Sequence, residues 1–306
     1  MISLVVPIYN EISLLDELVK RCVDALESTG SDFELILVDD GSYDGSLDRM
    51  IEWSVKDSRL VIVELSRNFG HQAAYTAGLE QAKGDYVAMM DGDLQDPPEL
   101  IPEMFLKIKD DNVDVVNAQR TSRKESLKRQ WVTRLFHSIF NSTSGLGKME
   151  NSGNFSMLNR SALKALLSLE ERTRYLPGLR SFIGFKQVSV EYDRDARFAG
   201  EAKMNVRRLI RLAADAVFSF SKIPLKFCLY LGIIGICISM GAGIYILLSK
   251  ALGIAPLGWS STMTSIFFLG SIQLTFLGVL GEYVFRIYRE TQQRPNYFIR
   301  KVHQKQ

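Results

Sequence analysis

The chain has 306 residues, 46% of them hydrophobic, and a formal net charge of only +2. That length admits one large domain or two smaller ones with ample core, and the near-neutral balance argues against a nucleic-acid binder, which carries a strongly basic face. Cys228 and Cys237 lie inside a long apolar run and Cys22 in a predicted helix, so no disulfide framework is expected and the soluble part suits a reducing, cytosolic setting.

The opening MISLVVPIYNE is apolar but lacks a basic leader and a small-residue cleavage site, and is expected as a first strand rather than a signal peptide. Strand and helix then alternate up to about residue 120. SLVVPI, ELILVD, LVIVEL, DYVAMMD and DVVNAQ are short runs rich in Val, Ile and Leu. Between them EISLLDELVKRCVDALES, GSLDRMIEWSVKD, HQAAYTAGLEQAK and PELIPEMFLKIKDD are helical. In the first helix Leu14, Leu15, Leu18, Val19, Cys22, Ala25 and Leu26 fall at helical spacing, with Asn10 as the expected N-cap. Such alternation predicts an α/β fold with a doubly wound, mostly parallel sheet, whose ligand site lies at the carboxyl ends of the strands. Polar clusters stand at those ends: Tyr9-Asn10-Glu11, Asp39-Asp40-Gly41-Ser42, and DGDLQD.

From 120 to about 200 the pattern is less regular. It holds a basic helical stretch (SLKRQWVTRLFHSIFN), an expected polar turn (NSGNFSMLNR) and a strand (KQVSVEYD). In VRRLIRLAADAVFSFSK one face carries Val206, Leu209, Ile210, Ala213, Val217 and Phe220, and another carries Arg207, Arg208, Arg211 and Asp215. A basic amphipathic helix of this kind suits a membrane surface. Residues 227–249 and 262–281 carry no charge and predict two transmembrane helices. Lys222 and Lys226 before the first, and Arg286, Arg289, Arg294, Arg300 and Lys301 after the second, put both termini on the cytoplasmic side. The expected division is therefore 1–203 for the catalytic domain, 204–225 for the juxtamembrane helix, 226–290 for the anchor and 291–306 for a cytoplasmic tail that includes His303. Glu282 is expected to pair with Arg286 at i, i+4, and His71 and His137 to serve packing or the surface.

Chemistry gathers at the strand ends. Asp91 and Asp93 are two residues apart, so on an extended chain both carboxylates point to one side. Hard oxygen donors in such a pair suit magnesium or manganese, and Gln95 repeats the step with an amide oxygen. Asp40 can accept from a nucleobase N–H or a ribose hydroxyl. Ser42 and Asp44 are expected as helix caps, and Asp39 is open between the two roles.

Five motifs in this order, VVPIYNE, VDDGSYDGS, RNFGHQAAYTAGLEQAKGD, MDGDLQDPPELI and ERTRYLPGLRSFIGF, resemble glycosyltransferase family two with its GT-A fold. With the two apolar runs, the chain resembles the polyprenyl-phosphate branch, which holds the dolichyl-phosphate mannose synthases and the bactoprenol glucosyltransferases. The resemblance implies that Pro7, Tyr9 and Glu11 line the nucleotide pocket and that Asp40 meets the base. It places Asp91 near the ribose and diphosphate, gives Asp93 and Gln95, with Asp91, to a divalent metal, and gives Arg120 to the donor. RFAGEAKMN matches a phosphate-binding loop, so Arg197 and Lys203 would neutralise the leaving diphosphate. Asp91, Asp93, Arg197 and Lys203 are then the catalytic set, and Asn154 falls in the acceptor region. Arg207, Arg208 and Arg211 are open between that region, where they would meet the acceptor phosphate or anionic headgroups, and the solvated face of their helix.

Two departures stand out. Ala202 lacks the hydroxyl usual before the lysine, and NSGNFSML has Asn154 and Ser156 where relatives commonly have Asp and Arg. An amide cannot act as a base, but a phosphate monoester with a second pKa near ~6 needs none at neutral pH. The implied activity is inverting, metal-dependent transfer of a hexose, glucose first, from a nucleotide sugar (a UDP-hexose first) to undecaprenyl phosphate at the inner membrane of a bacterium. The partners are then the donor, the lipid and the membrane, with a homo-oligomer left open. The alternatives are a membrane polysaccharide synthase and a non-catalytic scaffold that binds nucleotide sugars.

Overall fold

Every residue of β1 (Ile2–Ile8) and β2 (Phe33–Asp39) is buried, as expected of parallel strands covered by helices on both faces. These strands come from a computed structural model that describes residues 1–109, 113–120, 152–169, 171, 174–192, part of 230–252, and 258–304. The described residues form two units, one running to 192 and resuming at 294, the other lying between 230 and 293.

In the first unit β3 (Leu60–Leu65), β4 (Tyr86–Met89), β5 (Val115–Arg120), β6 (Ser152–Asn159), β7 (Gln187–Tyr192) and β8 (Ile299–His303) complete an eight-stranded sheet. Its order is β7-β5-β6-β4-β1-β2-β3-β8. The block β3-β2-β1-β4 is parallel, as the alternating pattern predicts. Beyond it the sheet is mixed: β6 runs antiparallel to β4 and β5, while β5 and β7 are parallel. The stretch expected as a polar turn, NSGNFSMLNR, is therefore the strand β6, with Phe155 and Met157 in the main core.

Helices α1 (Ile12–Glu27), α2 (Ser46–Lys56) and α4 (Ile101–Ile108) cover one face. The seven residues picked out by helical spacing in α1 are the ones it buries. On the other face lies α3 (His71–Gln81), next to α5 (Arg160–Leu167). It lies so close that a Cβ on Gly78 would overlap Val5 and stand 2.8 Å from Val38 Cγ2. Asn10 is not the N-cap of α1. Glu11 holds that position, and Asn10 takes a left-handed φ of 55°. The orphan amides are met from the next loop: Glu11 N–H donates to Ser46 Oγ (3.2 Å) and Ile12 N–H to Asp44 Oδ2 (3.1 Å).

The C-terminal segment is no tail. β8 adds antiparallel to β3, Ser66 N–H donates to the Phe298 carbonyl at 2.9 Å, and Phe298 packs against Phe69. Arg300 and His303 both reach the buried Glu64, at 3.0 and 3.2 Å.

The second unit carries α7 (Trp259–Thr291). Phe268–Thr291, 24 residues that contain an 18-residue window of mean hydropathy 1.4, is long and apolar enough to cross a bilayer. Leu274, Leu277, Leu280, Phe285 and Ile287 on it are exposed. Glu282 and Arg286 pair at 2.8 Å as expected. Two spans were expected, and the described residues contain one such helix. About half of the first run, 227–249, lies outside them; its described positions are helical, with Tyr230 and Ile234 among the exposed ones.

Candidate functional site

Asp91 follows β4 at the carboxyl edge of the parallel block, where the chain leaves the sheet in a turn. The Asp-x-Asp pair is thus not on an extended chain, and the same-side argument from strand geometry does not apply to it. Leu94 takes a left-handed φ of 55° in this turn and is buried in the core. A leucine accepts that backbone only where packing compensates, and such strain concentrates at functional turns. Gln95 N–H donates to Asp93 Oδ1 at 3.2 Å, and Gln95 is itself buried. Asp96 is buried and accepts from the Tyr192 hydroxyl, which ties the turn to β7. Pro98 opens the short helical turn that leads into α4.

Three donors converge on one oxygen of Asp91. The Tyr75 hydroxyl donates to Oδ1 at 2.7 Å, His71 Nε2 lies 2.9 Å from it, and Asn154 Nδ2 lies 3.4 Å from it. No described side chain donates to Oδ2. The side chain is 25% exposed. Burial works to raise its pKa, but the bonds from His71 and Tyr75 and the charge on His71 outweigh that, holding the carboxyl well below the usual range. For His71 burial opposes the charged form, while Asp91, then Asp40 and Asp93, outweigh it and raise the pKa. His71 and Tyr75 also meet edge to face, with centroids 4.8 Å apart.

The sequence placed His71 in packing or surface roles and gave Tyr75 none. A polar face on α3 at i, i+4 beside the strand end was the signal available, and the weak amphipathicity of HQAAYTAGLEQ hid it. Asn154, assigned to the acceptor region, comes to Asp91.

Behind Asn154 lies Arg180, on α6 (Leu176–Phe182) and 1% exposed. Its Nη1 donates to the Asn154 carbonyl at 3.0 Å and to Ser156 Oγ, and its Nη2 to the Gly153 carbonyl at 2.8 Å. Its Nε has no partner, and no described carboxylate pairs with it. Burial lowers its pKa to about 10. Ser156 is fully buried against this arginine, so position 156 faces the interior and not a ligand.

Asp40 and Asp39 both bind backbone. Asp40 Oδ1 accepts from Phe69 N–H (2.7 Å) and Oδ2 from Gly70 N–H (3.0 Å). Asp39 accepts from Gly41 and Ser42 N–H, each at 3.2 Å. Gly41 is required here: its φ is +72°, and a Cβ would stand 2.6 Å from the Asn68 nitrogen. Neither expected cap is the N-cap of α2, which is Gly45: Asp44 Oδ1 accepts from Ser46 N–H (3.0 Å), and Ser42 Oγ accepts from Asn10 N–H (3.1 Å) in a tie between loops. Pro7 sits in register with Val38, and Tyr9 is exposed edge to face with the more exposed Tyr43. Glu11, partly buried, starts α1 beside them. Arg120 ends β5 opposite Tyr192. Arg197, Lys203, Arg207, Arg208, Arg211 and His137 lie outside the described residues.

A family model described as Glycosyl transferase family 2 matches residues 3–167, which take in the parallel block, the Asp91 turn and β6. The chain belongs to that family. As a glycosyltransferase it is similar over nearly its whole length to several bacterial and phage proteins. A glycosyltransferase of Synechocystis is 39% identical over 97% of this chain and 94% of its own. The prophage bactoprenol glucosyl transferase homolog of Escherichia coli K12 is 36% identical over 98% and 99%. The bactoprenol glucosyl transferase of Shigella phage SfII is 36% identical over 99% and 98%. The transferase's sheet is of the mixed, GT-A-like kind.

Proposed function

We propose that the transferase moves a hexose, glucose first, from a UDP-sugar to undecaprenyl phosphate at the cytoplasmic face of a bacterial inner membrane, with inversion. The observation that carries this is the near-full-length similarity to bactoprenol glucosyl transferases. The exposed apolar stretch of α7 supports a membrane-held acceptor. So does an open apolar groove of about 820 Å³ between helices of the second unit, lined by Leu231, Met240, Leu269, Phe276 and Gln273, which suits a hydrocarbon chain.

In this reaction a lipid phosphate oxygen attacks the anomeric carbon, and the bond from that carbon to the donor's diphosphate breaks. The diphosphate leaves with the electron pair. The attacking oxygen is already deprotonated at neutral pH, so the amide at Asn154 removes no required base. Asp91, ionised and with Oδ2 free of donors among the described residues, with Asp93 and Gln95, offers the hard oxygen set that fits magnesium or manganese. Among the described residues no three carboxylate, His or Cys side chains gather closely enough to hold an ion unaided. The remaining ligands would come from donor phosphates and water. A bound ion would offset the charge gained by the leaving diphosphate. Arg197 and Lys203 would add cations to the same group.

Membranes holding the full chain, given radiolabelled nucleotide sugars and undecaprenyl phosphate with and without EDTA, test this. One sugar per lipid, with loss of transfer on EDTA treatment and in Asp93→Ala, is the expected outcome. A polymeric product would favour a polysaccharide synthase, nucleotide binding without turnover across the panel a scaffold, and full transfer by Asp93→Ala would defeat the metal assignment.

A further inference from the structure

We propose, on the footing of the donor-side role given to Asp91 above, that Gln72 and Asn154 are positioning residues. Through them a backbone amide of α6 fixes which oxygen of Asp91 is turned to the ligand.

The order of hydrogen bonds begins at Leu176, the first residue of α6. Its N–H has no carbonyl partner inside the helix and can only donate; it does so to Gln72 Oε1 at 3.2 Å. With its oxygen held there, Gln72 turns Nε2 toward Asn154 Oδ1, 3.4 Å away. Asn154 Oδ1 is then the acceptor of that pair, which leaves Nδ2 to donate to Asp91 Oδ1 at 3.4 Å, beside His71 Nε2, 3.3 Å away and a donor to the same oxygen. Because the first donor is a main-chain N–H, neither amide can be turned end for end without setting two acceptors or two donors against each other. Arg180 fixes the main chain at the same place by binding the Gly153 and Asn154 carbonyls.

Asn154 therefore brings the third donor to the oxygen already held by Tyr75 and His71. With three donors on Oδ1, the carboxylate cannot rotate to exchange its oxygens without breaking all three, and Oδ2 is the atom presented. An aspartate at 154 would still accept from Gln72, but it would set a second carboxylate against Asp91. In this chain the amide is a required donor rather than a base that was lost.

Full-length protein in nanodiscs, in the forms Asn154→Ala, Asn154→Asp, Gln72→Glu and the double Asn154→Ala/Gln72→Glu, tests the proposal. The bonds are long, so Asn154→Ala and Gln72→Glu should each lower kcat/KM about fivefold, and Asn154→Asp more than about thirtyfold. The loss should appear as a raised KM for the nucleotide sugar with the KM for the lipid unchanged. In the double variant the loss should match that of Asn154→Ala alone, since Gln72 acts only through Asn154.

Asn154→Asp matching the wild type would overturn the proposal, as would a raised KM for the lipid in its place. Melting temperatures of the wild type, Asn154→Ala, Gln72→Glu and the double variant need no substrate. A coupled cycle there, beside absent sugar transfer, would sink the function proposed above and leave the hydrogen-bond order standing. Additive melting shifts would overturn that order whether or not sugar is transferred.

Discussion

The parallel block β3-β2-β1-β4 and the mixed half around β6 meet at Asp91, yet they are built from different kinds of sequence. In the parallel block the strands are buried on both faces and read as runs rich in Val, Ile and Leu, and the polar residues that follow them sit on the sheet's carboxyl edge. The mixed half has Gly, Ser and Asn inside a strand and a buried arginine behind it. One half supplies the carboxylate and two of its donors; the other supplies the amide that completes the set and the cation that holds its main chain. Here the half that reads least like regular structure orients the group provided by the half that reads most like it.

Arg180 is where this comparison breaks most visibly. Arg180→Met fills similar space but removes the guanidinium donors from the Gly153 and Asn154 carbonyls, leaving the latter only the Ser156 hydroxyl, and the loss should be about 3 kcal/mol by chemical unfolding of the full chain. Sugar transfer should fall with it at temperatures where the variant is still folded, because Asn154 loses its seat. A Met variant as stable and as active as the wild type would mean that the mixed half positions nothing.

The same contrast explains what could be foreseen. The strands and helices of the first 120 residues follow from apolar period and length, down to the seven buried residues of α1. β6 was missed because its face toward α6 carries Ser156 and Asn154, which bind an arginine that no local pattern links to them. β8 was missed for a different reason. IRKVH carries two adjacent cations and little apolar surface, as edge strands do, and its partner, Glu64, is more than 230 residues away in sequence. At the site, Asp91, Asp93 and Gln95 were visible as a cluster within five residues, whereas His71, Tyr75, Gln72 and Arg180 are joined to it only by folding.

The C-terminal strand gives a second, smaller test, set on the parallel block's outer edge. Removing residues 294–306 uncovers β3, leaves the buried Glu64 without Arg300 and His303, and strips Phe298 from Phe69. Arg300 is mostly exposed, so its ion pair contributes little. The main loss is the ladder of main-chain bonds and the desolvated carboxylate, about 2 kcal/mol in all. Thermal melting should show it, together with self-association from the exposed edge.

Asp40 offers the smallest effect, confined to a pH window. Burial raises its pKa above the ordinary 3.8, with the Phe69 and Gly70 amides pulling it back only in part. The folded state therefore holds this proton more tightly than the unfolded chain does. The stability linked to it is fully present below pH 3.8 and is lost as pH rises through the folded value. Asp40→Asn carries no such proton, and it also loses one of the two amide bonds, because its NH2 cannot accept. Its deficit relative to the wild type should be about 1–2 kcal/mol at acid pH and should shrink as pH rises past that window. Melting curves of the two proteins from acid to neutral pH would show it. A deficit that grew with pH would mean that the amides of the α3 loop, not burial, dominate at Asp40, and that this end of the parallel block is tuned to hold a charge as Asp91 is.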